Sequence, residues 1–135
     1  MGEHDNHQEP VPENALFCCF GCMSSVGTLT GIAMLEAFKK LDKNKNGLFC
    51  TSAIAVGVLK HRITTERAKS NIVIDGCYNR CARRILEKEG FKVDKYLNLL
   101  KDLKIEKLGP FKTFEYTQED LDKAVEAILN ICEEV

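Results

Sequence analysis

Seven cysteines in 135 residues pose the chemical question: Cys18, Cys19, Cys22, Cys50, Cys77, Cys81 and Cys132. Two pairs carry metal-ligand spacing. Cys19-Phe-Gly-Cys22 is a CxxC, in which Gly21 helps the turn that lets two close thiolates grip one ion. Cys77 and Cys81 are four apart, a spacing that brings side chains together across one helical turn. Two such pairs supply four sulfurs, the tetrahedral set that zinc prefers. An iron–sulfur cluster is the alternative occupant of a thiolate-rich site. Cys50 is a fifth candidate, as ligand or as reactive thiol. Arg80, Arg83 and Arg84, with nearby helix N-termini, would ease the negative charge of clustered thiolates. His61 could complete the ligand set if one cysteine is spare, although its basic neighbours in LKHRIT favour solvent.

A thiol nucleophile is the competing chemistry. Five residues separate Cys77 from Arg83, in a stretch that follows an apolar run and precedes a helical pattern. Phosphatases and arsenate reductases with a cysteine nucleophile share this spacing, because backbone amides and the arginine cradle an oxyanion while the thiolate attacks. Against it, no glycine lies between the two residues, and Arg84 rather than Ser or Thr follows Arg83. Redox exchange or sulfur transfer at Cys77 or Cys50 belongs to the same class. Asp75 is a candidate general acid, an orienting partner for a ligand, or a cap for the helix that follows. Of three histidines, His4 and His7 fall in the N-terminal segment, so general bases are scarce.

The elements that must position these residues alternate. ALFCCF, 15–20, reads as a short apolar strand. Ser24 or Ser25 can cap a helix whose inner face is Val26, Leu29, Ala33, Met34, Ala37, Phe38 and Leu41. Gly47, in LDKNKNG, suits a left-handed cap or turn. A second strand ends near Cys50, and Thr64 or Thr65 can start a short helix through TERAKS. NIVID, 71–75, is β-branched and closed by Gly76, as a buried strand should be. A helix over roughly 79–89 follows, with Ala82, Ile85 and Leu86 inward. KYLNLLKDL, 95–103, fits strand or helix equally. Thr117 opens the last helix, with Leu121, Ala124, Val125, Ile128, Leu129 and Cys132 on one face.

This order predicts an α/β fold: a three-layer, mostly parallel sheet with helices on both faces. In such a sheet, ligands collect beyond the carboxyl ends of the strands. Cys19, Cys22, Cys50, Cys77 and Cys81 all fall there.

The chain is 44% hydrophobic and 29% charged with a net charge of -1, which suits one globular domain over 15–135 behind a flexible tail at 1–14. That charge gives no general attraction to nucleic acid or to an acidic membrane, and no apolar run is long enough to span a bilayer. MGEHDNHQEPVPEN lacks the basic and apolar regions of a signal peptide, so cytoplasmic residence is expected. Without a secretory signal, so many cysteines favour metal or thiol chemistry over disulfides. The expected partner is a metal ion, with a small thiol or an anion as further candidates.

IDGCYNRCARRILEKEGF resembles the central signature of the DGC-domain proteins, a prokaryotic family named for that Asp-Gly-Cys. CFGCMSSVGTLTGIAM, FCTSAIAVG and TFEYTQEDLDKAVEAI resemble its N-terminal, middle and closing segments, so the resemblance covers roughly residues 15–130. The family is described as zinc-binding because of its cysteines. The resemblance therefore implies a zinc site at Cys19, Cys22, Cys77 and Cys81, with Cys50 as a fifth candidate, and supplies no reaction. Phe20, Met23 and the Tyr78-Asn79-Arg80 stretch depart from the family pattern and alter the rim of the pocket.

Overall fold

The computed structural model of the chain describes residues 10–133. His4 and His7, and most of the expected tail, lie outside the described residues. Among the described residues the four strands are β1 (Asn14–Cys18), β2 (Asn46–Leu48), β3 (Ser70–Asp75) and β4 (Lys95–Asn98). The helices are α1 (Ser25–Phe38), α2 (Thr51–Ala55), α3 (Leu59–Arg67), α4 (Cys81–Lys88), α5 (Leu99–Leu103) and α6 (Gln118–Glu133). All strand pairs are parallel, in the order β2-β1-β3-β4. The α/β expectation holds.

Alternation along the strands divides the core. Leu16, Ile72 and Ile74 pack with Val26, Leu29 and Met34 of α1 and with Ala124 and Ile128 of α6. Ala15, Phe17 and Val73 point the other way, to Ile54 of α2 and to Ala82 and Leu86 of α4. Loops that leave neighbouring strands β1 and β3 therefore run to helices in different clusters. That divergence opens a crevice at the point where strand order reverses.

The ambiguous segment 95–103 resolves into both alternatives, β4 and then α5. Asn98 ends the strand and its side chain accepts from Lys101 N at 3.0 Å, which starts the helix. Thr117 caps α6 as read, accepting from Asp120 N at 3.0 Å, and Cys132 is buried in the core.

Three local expectations are corrected. Gly47 is in β2, not at a left-handed position, and a Cβ there would stand 2.7 Å from Pro12. α3 begins at Leu59 rather than at Thr64 or Thr65. Those threonines are mid-helix and turn their hydroxyls back to the carbonyls of Lys60 and His61, both at 2.8 Å. α4 begins at Cys81, not at 79, because Arg80 adopts a left-handed backbone (φ 52, ψ 47) that cannot continue a helix. Cys77 therefore precedes the helix, and the two cysteines do not share a helical face.

Candidate functional site

The first and third strands end side by side, with Cys18 in register with Ile74 and Cys19 N donating to Ile74 O at 3.1 Å. Cys19 and Cys77 are thus delivered to the crevice by adjacent strand ends. A turn, Arg80 N to Cys77 O at 3.2 Å, then brings Cys81 to the same place. Cys19, Cys77 and Cys81 line one cavity of about 370 Å³. Small residues make this approach possible. A Cβ at Gly76 would stand 2.8 Å from both the Val26 carbonyl and the Thr30 hydroxyl. A Cβ at Gly27 would run into the carbonyl of Gly21.

A segment late in the chain completes the wall. Ser25 and Leu108 exchange hydrogen bonds at 2.8 Å, Phe111 N donates to Met23 O at 2.6 Å, and Thr113 Oγ1 donates to Cys22 O at 2.6 Å. Lys107 in this segment donates from Nζ to the Cys77 sulfur at 3.6 Å. Sequence reasoning missed Lys107. No periodic pattern or motif marks its segment, and its partner lies 30 residues away.

The remaining candidates are placed elsewhere. Cys22 is exposed, and its thiol faces the Phe20 carbonyl at 3.5 Å. Cys50 lies just beyond β2, where its sulfur caps α2 by accepting from Ala53 N at 3.4 Å. It lines a separate cavity with Lys60 and exposed His61. Of the five cysteines expected at the rim, three are brought together.

Asp75 is 1% exposed and serves as a cap at long range. Its two oxygens accept from Ala82 N at 2.9 Å and Arg83 N at 3.1 Å, and Tyr96 donates its hydroxyl at 3.1 Å. The start of α4 thus already holds a carboxylate from its own chain. Arg83 is turned away from Cys77: its Nε meets Glu87 at 3.0 Å and its guanidinium stacks 4.6 Å from the Tyr96 ring centre. The anion cradle of a Cys77–Arg83 phosphatase loop is not formed, because the amides of Arg80, Ala82 and Arg83 and the Arg83 guanidinium are engaged within the protein.

Burial pushes the Cys19 thiol up to about 11, helped by the neighbouring Asp75, Cys81 and Cys77. Adding negative charge to this cavity is therefore unfavourable without a cation. Three thiols are a donor set that fits a soft cation such as zinc. Among the described residues, however, no three His, Cys, Asp or Glu side chains stand where they could hold one ion as placed.

The architecture defines a class: a small parallel α/β domain whose strand-order reversal carries a cavity lined by thiols. No curated protein matches the chain, and no solved structure does. A DGC domain matches residues 15–128, and the chain belongs to that family. Among the described residues no helix is long and apolar enough to cross a membrane.

Proposed function

We propose that this chain is a cytoplasmic metal-binding protein that holds zinc on thiolates, with Cys19, Cys77 and Cys81 as ligands and Cys22 as the fourth. The observation that carries the reading is the convergence of three thiols from two different turns on one cavity. Cys22 comes from the same turn as Cys19, and rotation of its exposed side chain is the adjustment that four-sulfur binding requires. Cys50, committed as a cap in another cavity, is outside the set. The other three ligands are also expected to re-orient on binding, and a cation would reverse the charge penalty at Cys19. When bound in this way zinc closes and rigidifies a site. Seven free cysteines suit a reducing compartment.

The test is metal content of anaerobically purified protein. About one zinc per chain is expected, lost in Cys19→Ser and Cys81→Ser and retained in Cys50→Ala. Full zinc content in both serine variants would overturn the proposal. A coloured protein containing iron would replace zinc by the iron–sulfur alternative. One observation favours a second reading: Lys107 beside the Cys77 sulfur would support a thiolate nucleophile in a metal-free, thiol-dependent enzyme. Metal-free protein with Cys77 alkylated far faster than the other thiols at neutral pH would select it.

A further inference from the structure

The loop 77–80 has a second side. Away from the cysteines, the ends of β3 and β4 enclose another cavity, of about 370 Å³, lined by Tyr78, Arg80, Arg83, Tyr96 and Lys101. Its floor is fixed. Tyr96 donates to Asp75 and accepts from Asn98 Nδ2 at 3.1 Å, while Asn98 also donates to the Cys77 carbonyl at 2.8 Å. Asp75 and Asn98 are each 1% exposed, so this network is shielded from water. The floor has its polar groups committed within the protein.

The walls are different. Arg83 is held by Glu87 and by stacking on Tyr96, a guanidinium already positioned before any ligand arrives. Among the described residues the Arg80 and Lys101 side chains have no hydrogen-bonding or ionic partner. Arg80 faces the cavity from a left-handed backbone, a conformation that disfavours most residues with a Cβ. Glycine or asparagine would relieve that strain, yet a long cation occupies the position. The one carboxylate on the lining, Asp102, already accepts from Asn98 N at 2.9 Å. Arg83 is paired with Glu87, and the carboxylates of Asp75 and Asp102 are both committed within the protein, which leaves Arg80 and Lys101 as the two cations without a partner. Two tyrosines contribute partly apolar walls.

We propose that this cavity is an anion-binding site for a small dianion, a phosphate monoester or a dicarboxylate. Arg80 and Lys101 supply the charges that the protein leaves uncompensated, and Arg83 supplies a preset guanidinium fork. None of its cations is a proposed metal ligand, although Arg80 shares the loop 77–80 with Cys77. The helix N-terminus is not part of it, since Asp75 already occupies that end of α4.

The experiment is calorimetric titration of the full chain with inorganic phosphate and, separately, with succinate, at pH 8 and low ionic strength. Saturable binding of at least one is expected, weakened about tenfold or more by Arg80→Gly and by Lys101→Gln, and weakened by added salt. Arg80→Gly relieves the left-handed strain, so a loss of binding without a loss of thermal stability separates recognition from folding. Binding of phosphate alone selects the phosphoryl dianion, and binding of succinate alone the dicarboxylate. Cys50→Ala, at a thiol in another cavity, should leave the affinity within about twofold. Absence of saturable binding by either probe, equal affinity in Arg80→Gly, or loss of binding in Cys50→Ala would overturn the proposal.

Discussion

Asp75→Asn replaces one carboxylate oxygen of a buried cap by an amide NH2. The most favourable orientation keeps the remaining oxygen on Arg83 N and the Tyr96 hydroxyl, each at 3.1 Å, and sets the NH2 against Ala82 N–H, 2.9 Å away. Both retained bonds then run to a neutral amide oxygen instead of a carboxylate. A hydrogen bond to a charged group contributes about 1.5–3 kcal/mol net, and a buried donor left without an acceptor costs a similar amount. One bond is lost and two are weakened, and water and small shifts recover part of the loss. A destabilisation of about 3 kcal/mol is expected, with Tm lower by about 10 °C in a domain of this size. Urea unfolding of the metal-free protein followed by far-UV circular dichroism measures it, with an unchanged slope confirming two-state comparison. Tyr96→Phe should cost about 1 kcal/mol alone and less in the Asp75→Asn background, since the two share one bond. If Asp75→Asn lies within about 0.5 kcal/mol of wild type, the ordinary range for surface changes, the carboxylate does not anchor α4 and the reasoning fails.

Other outcomes follow from the same geometry. Burial, aided by neighbouring charge, pushes the thiol of Cys18 up to about 12, and burial pushes that of Cys132 up to about 11, from an ordinary value of 9.0. Unfolded thiols ionise first, so this contribution is whole below pH 9.0 and is lost as pH rises through 11 toward 12. Urea midpoints of metal-free protein should fall over that interval, less steeply in Cys132→Ala. Gly76→Ala sets a methyl 2.8 Å from the Val26 carbonyl, and chemical unfolding should show a loss of about 1–3 kcal/mol. Cys50→Ala removes a weak sulfur cap from a short helix and should cost no more than about 1 kcal/mol by the same assay.

The parallel sheet was legible because NIVID and ALF are short apolar runs followed by turn residues, and because α1 and α6 have caps and inner faces that can be counted. The rim position of the cysteines followed from strand order alone. The errors have local causes. The helical spacing of Cys77 and Cys81 suggested a shared face, but the left-handed Arg80 between them interrupts the period, and a turn rather than a helix unites the thiols. Thr64 and Thr65 looked like caps, yet each hydroxyl found a carbonyl one turn back inside α3. Cys50 is grouped with the other rim cysteines when strand ends are counted without their lateral order: β2 is an edge strand, on the far side of β1 from β3. The loop after β2 leads to a different cavity from those after β1 and β3. Asp75 was readable as a possible cap, but its link to Tyr96 spans 21 residues and needs β4 in register beside β3. Lys107 reaches Cys77 only through tertiary packing, which no local pattern encodes.

The tie from Thr113 to the Cys22 carbonyl spans 91 residues, and that has a consequence for how the protein is made. Synthesis is vectorial. The turn carrying Cys19 and Cys22 leaves the ribosome long before residues 108–113 exist to fasten it. At roughly 5–20 residues per second, the nascent chain carries that turn untied for on the order of ten seconds. All four strands are already present by residue 98, so the sheet can assemble around a loop that still lacks its fastening. The thiol cavity is thus a late product of translation, and the polypeptide passes through a stage in which its framework is complete while its metal-ligand turn is exposed to whatever thiols and metals the surroundings hold.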